Sequence, residues 1–216
     1  MHMRPAQTIV VLAIVLAFGL GIYFYPQLPP QVVSHWSAAG VADGYMSKFW
    51  GIFLIPFLIL GIPLLMWFLP KIDPLRKNIE EFRGYYKGFI AALTLFLFYV
   101  YLLALLWNLG IIFDFVRVLV PAFAVLFYFI GVLLRHAKRN WFIGIRTPWT
   151  LSSDEVWAKT HHRGSFLFRA SAAVSLLGLI WPDIAIWLLL LPPLLGSTLY
   201  LLVYSYLVFR RLGRSN

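Results

Sequence analysis

With 62% hydrophobic and only 12% charged residues among 216, the chain lies far outside the balance of a soluble globular protein. It reads as an all-α, polytopic membrane protein, because several apolar runs approach or exceed the roughly 20 residues that cross a hydrocarbon core. The lack of cysteine excludes disulfides, thiolate metal sites and a cysteine nucleophile. The net charge of +10 points to membrane-surface sorting and anionic lipid rather than to direct nucleic acid binding.

In chain order, a short basic start over residues 1–7 leads into a first span over 8–25. Pro26, Pro29 and Pro30 stop it, since each lacks an N–H and fixes φ. A second span is expected over 49–69, bent by Pro56 and Pro63. A charged loop over 71–87 should carry a short amphipathic helix at 74–86. The third and fourth spans, 88–107 and 116–134, are joined by the short apolar link 108–115. The fifth and sixth, 165–180 and 184–209, flank the turn Trp181-Pro182-Asp183, and Pro192-Pro193 should kink the last. The expectation is therefore six transmembrane helices in a single integral membrane domain over 1–216. With the N-terminus inside, all but Lys48 and Arg117 of the 18 Lys and Arg fall on the inner side. Such a bias places both termini in the cytoplasm, makes 26–48 an external loop, and makes 135–165 a cytoplasmic interfacial hairpin and helix start.

The polar chemistry is concentrated in these two segments. In the second, Trp141, Trp149 and Trp157 are interleaved with Arg146, His161 and His162. Ser152 and Glu155 have the spacing of a capping box, which would start a helix near Ser153 that runs into the fifth span. On that helix Trp157, Thr160 and His161 share a face, while His162 points about 100° away. Upstream, Trp141, Phe142, Ile143 and Ile145 are too apolar for a solvated loop, and Gly144 and Pro148 oppose a long helix. Three readings stand for Arg146: a cation snorkelling to lipid phosphate, a fork on a bound anion, or a clamp on backbone carbonyls.

In the external segment, Val32, His35 and Trp36 are spaced for a short helical or irregular turn, and Gly40 and Asp43-Gly44 mark tight turns. His35 and Asp43 offer two donors, fewer than a metal site needs, so no metal and no cofactor is expected.

The external segment, with Pro29, His35-Trp36, Gly40 and Asp43-Gly44, resembles the signature of an uncharacterised membrane domain. The run Gly-Ile-Arg-Thr-Pro-Trp-Thr-Leu from Gly144 and the run Val-Trp-Ala-Lys-Thr-His from Val156 are similar to the core motif of the SdpI family. The resemblance implies a non-enzymatic, multi-pass cell-membrane protein giving immunity to a membrane-active peptide toxin on the external side. It also implies recruitment of a cytoplasmic repressor. The residues carried over are His35, Gly40 and Asp43 outside, with Asn140, Gly144, Arg146, Thr147, Pro148, Trp157 and His161 inside. Trp36, Trp149 and Thr160 complete the candidate binding set. The alternatives are a transporter of small molecules or lipid and, behind it, a membrane-embedded enzyme. A transporter needs ionisable groups near the midplane, whereas Asp114, Arg117, Arg169 and Asp183 are expected near helix ends.

Overall fold

The structure, a computed structural model, describes residues 5–213. Arg4 and Arg214, both counted towards the inner side, lie outside the described residues. The chain begins with α1 (Pro5–Phe24), then β1 (Gln31–Trp36), β2 (Ala42–Ser47), α2 (Lys48–Ile72), α3 (Arg76–Glu81) and α4 (Arg83–Asn108). It continues with α5 (Phe115–His136), α6 (Pro148–Ser152), α7 (Asp154–Ser175), α8 (Pro182–Ile184) and α9 (Leu191–Leu212).

Among the described residues, five helical segments are long and apolar enough to cross a membrane: Pro5–Gln27, Lys48–Ile72, Arg83–Asn108, Phe115–His136 and Pro182–Leu212. They correspond to five of the six expected spans. The remaining one, expected at 165–180, is carried by α7 and a 3-10 turn (Leu176–Leu179). That helix is too polar over its length to stand with the others, because it carries Lys159, His161, His162, Arg163, Ser165 and Arg169. Arg169 sits inside α7 rather than at its end, a correction to the expected placement.

On α5 the buried positions Val116, Val120, Ala124, Phe127, Gly131 and Leu134 recur at helical spacing, one stripe turned inward. Against that stripe runs α7, which in turn packs on α9. The approach is close because Gly131 has no side chain. A Cβ there would lie 2.9 Å from the Ser165 carbonyl oxygen and 2.7 Å from Cγ of Arg169. Pro56 and Pro63 lie on the buried face of α2, which continues through both. Pro192 and Pro193 stand near the start of α9, inside a continuous helical segment that runs from Pro182 to Leu212. The irregularity expected at that point comes just before them, as a π-helical turn over Ala185–Leu190.

The expected turn around Val32 and His35 is instead an extended strand. β1 and β2 form an antiparallel hairpin with Val33 opposite Tyr45 and His35 opposite Gly44. Two features favour the strand over a helical turn. Val32 and Val33 are β-branched, and Val32 is buried where α2 offers Gly51, a residue with no side chain to obstruct it. The side-chain amide of Asn108, at the end of α4, then holds the backbone of Val33 from both sides. It accepts the Val33 N–H at 2.8 Å and donates to the Val33 carbonyl at 2.9 Å.

Candidate functional site

Between α5 and α7 the backbone makes a series of turns whose polar groups are satisfied internally. Asn140 is fully buried and organises the first of them. Its Oδ1 accepts the N–H groups of Phe142 (2.9 Å) and Ile143 (2.6 Å), and its Nδ2 donates to the carbonyls of Lys138 and Ile143, both at 2.8 Å. The amide has two donors and an oxygen that takes two partners, so its capacity is used up.

This loop is tied to the far end of α2 by a residue that the sequence reading missed. Asp73 is 3% exposed, accepts the Leu75 N–H at 2.6 Å through Oδ1, and accepts the Trp141 N–H at 2.9 Å through Oδ2. Asp73-Pro74 is a turn signal in sequence, yet nothing local announces a partner 68 residues away. Asn78 of α3 adds a bond from Nδ2 to the Arg139 carbonyl at 2.8 Å.

His161 lies at the centre. Its Nδ1 donates to the Trp157 carbonyl and its Nε2 accepts the Ile145 N–H, each at 2.9 Å. A carbonyl can only accept and an amide N–H can only donate, so the ring is neutral with its proton on Nδ1. Burial pushes its pKa down to about 4, against the smaller upward pull of the Trp157 carbonyl. The Trp157 ring stacks on the imidazole at 3.9 Å and 15°, and its indole N–H donates to the Ala137 carbonyl at 2.8 Å. Thr160 is buried on the same side of α7, and its hydroxyl has no partner among the described residues. The shared face of Trp157, Thr160 and His161 therefore exists, and it points inward. His162 is exposed and meets Arg135.

Gly144 has φ +117°, a conformation L side chains rarely adopt, and a Cβ there would run into Nε2 of His161. Thr147 caps α6 reciprocally with Thr150 and also meets Ser205 of α9 at 3.1 Å. Pro148 is the first residue of α6, and the Trp149 ring lies 5.1 Å from that of Tyr206. The capping box expected at Ser152 does not form. Ser152 ends α6 and donates to the Trp149 carbonyl at 3.0 Å, so the extended residue free to cap α7 is Ser153. Ser153 accepts the Val156 N–H at 3.3 Å.

Arg146 falls short of the expected clamp on several backbone carbonyls. Its side chain is exposed and makes one bond, from Nη1 to the Trp141 carbonyl at 2.9 Å. The arginine with forked contacts is Arg139, which bonds Asp154 Oδ1 at 2.7 Å and the Leu151 carbonyl at 2.9 Å. The sequence reading singled out Arg146 for such contacts and did not single out Arg139; the path of the chain brings Arg139 to Asp154 and the Leu151 carbonyl.

The hairpin residues form a second group. His35 Nδ1 lies 2.5 Å from Asp43 Oδ1, with side chains 71% and 45% exposed. Among the described residues no third His, Cys, Asp or Glu joins them. Trp36 stacks on Phe115 at 3.9 Å and 7°, its indole N–H buried without a partner among the described residues. Gly40 turns the hairpin with φ +74°. The hairpin leads into the first residue of α2 and Asp73 follows its last, so the 25 residues of this helix, about 37 Å long, separate the two groups. The candidate residues are thus two sites and not one.

Residues 136–205 match the model of the SdpI/YfhL protein family, and residues 12–60 match that of a domain of unknown function, DUF1648. The Immunity protein SdpI of Bacillus subtilis (strain 168) is 28% identical over 149 residues, 68% of each chain. No solved structure matches the chain. The resemblance read from the two motifs is borne out: the chain carries a match to the SdpI/YfhL family preceded by one to DUF1648.

Proposed function

We propose that this chain is a multi-pass membrane immunity protein that protects its cell from a membrane-active peptide toxin. The observation that carries the reading is its likeness to Immunity protein SdpI over two thirds of both chains. In the proposed orientation the β-hairpin faces outside, where a peptide would arrive, and the Asn140–His161 region faces the cytoplasm, where a repressor would dock. The basic residues at that end favour this orientation. A non-enzymatic role is in keeping with the interior of the site. Asn140, Thr150 and His161 are each bonded to backbone groups, as structural side chains are. A transporter would need more than Arg169, whose Nε bonds the Ser165 carbonyl at 3.1 Å and which has no carboxylate partner among the described residues.

The test is expression in Bacillus subtilis lacking its own Immunity protein SdpI, challenged with the toxin against which that protein acts. Survival should be restored at normal membrane abundance of the chain. Undiminished killing at that abundance would overturn the proposal.

A further inference from the structure

We infer that the cleft between the C-terminal end of α5, α7 and α9 is a binding site for the headgroup of one anionic phospholipid. The cleft has a volume of about 480 Å³ and is lined by Arg135, Ala158, Lys159, His162, Arg163 and Tyr204. Every ionisable side chain of that lining is basic apart from the tyrosine phenol.

The cations differ in how far they are already neutralised. Lys159 is engaged by Glu155 at 2.6 Å. Arg163 has no carboxylate partner among the described residues; its guanidinium carbon lies 5.8 Å and 5.9 Å from the ring centres of Tyr200 and Tyr204. Arg135 meets Nδ1 of His162, and no carboxylate either. Two acids of the adjoining cleft that Arg135 and His162 also line face other cations, Asp154 facing Arg139 and Glu81 facing Lys138. Two arginines from different helices thus flank one cleft with no carboxylate partner among the described residues. Arginine suits phosphate by its planar, multiply donating group, and the two tyrosines hold Arg163 in place through their ring faces.

The surroundings favour a lipid over a soluble anion. One turn beyond His162 on the same face of α7 stands Phe166, 59% exposed, and one turn before Tyr204 on α9 stands Tyr200, 42% exposed. Leu199 and Val203 of α9 continue this apolar surface with exposures of 66% and 54%. A cationic pocket at the helix ends above an aromatic and aliphatic surface matches a molecule with a phosphate head and hydrocarbon tails. The proposal does not depend on the immunity reading, since it uses neither the toxin nor the orientation.

The experiment uses the full chain in a zwitterionic detergent, with melting temperature followed during titration by phosphatidylglycerol, phosphatidylcholine or inorganic phosphate. Phosphatidylglycerol should stabilise the protein saturably, and the other two should not. Arg163→Gln and, independently, Arg135→Gln should each weaken the apparent affinity roughly fivefold, the equivalent of one cation near an anionic surface. Lys77→Gln, an exposed cation on α3 outside the cleft, should leave it unchanged. Equal stabilisation by phosphatidylcholine would overturn the headgroup charge as the determinant. Equal stabilisation by inorganic phosphate would make the site one for a free anion and overturn the lipid. An equal loss in Lys77→Gln, or wild-type binding by both arginine variants, would leave only diffuse charge.

Discussion

The imidazole of His161 occupies the place a side chain on Gly144 would take, and accepts the N–H of the next residue, Ile145, at 2.9 Å. Gly144 and His161 are therefore one device, in which a residue without a Cβ lets a buried ring satisfy the loop backbone.

Gly144→Ala should lose on two counts, the φ of +117° and the collision with Nε2 of His161. The expected cost is on the order of 2–3 kcal/mol. A lowered melting temperature in detergent, with faster proteolysis between Asn140 and Thr147, is the measurement. Unchanged melting would mean the loop does not pack on His161.

Stability should depend on pH through the same ring. Folding lowers the pKa of His161 from 6.5 to about 4, so between these values the unfolded chain binds more protons than the folded one. The stabilisation is complete above about pH 6.5 and is lost as pH falls towards 4. Its upper size is roughly 3 kcal/mol. Melting temperature should drop on acidification between those limits, and His161→Gln, which does not titrate, should remove that part of the drop.

Asp73→Asn tests the tie between α2 and the loop. Both carboxylate oxygens accept backbone N–H groups, and an amide can replace only one, turning its NH₂ towards the other donor. A loss of about 1–3 kcal/mol is expected, read as a lower melting temperature and faster hydrogen exchange at Trp141. Exchange at Trp141 equal to wild type would contradict the bond.

Arg146→Lys should be tolerated structurally, because the exposed arginine makes a single bond to the Trp141 carbonyl. The change should stay below about 1 kcal/mol. Loss of protection from toxin in a normally abundant, normally melting Arg146→Lys protein would assign the free part of the fork to a partner.

The chain contains no cysteine, so single cysteines can report its orientation directly. A cysteine at exposed Ala39 should react with an impermeant thiol reagent on intact cells, and one at exposed Ala158 should not. The reverse pattern would exchange the two faces.

The membrane class and five apolar helices followed from the sequence because hydropathy is a local quantity, summed over a run of neighbours and indifferent to distant partners. The two chemically dense segments were legible for the same reason, as was the family resemblance. That Trp157, Thr160 and His161 share a face needed only helical geometry, whereas its turning inward came from the packing. Long-range packing decided the rest. Asp73 reaches Trp141 across 68 residues and Asn108 reaches Val33 across 75, and each bond depends on which helix ends meet. The hairpin, the choice of Arg139 over Arg146 for the forked clamp, and the cap at Ser153 in place of Ser152 depend on this kind of meeting. Buried backbone groups must find partners, and the sequence states that need without saying which distant side chain meets it.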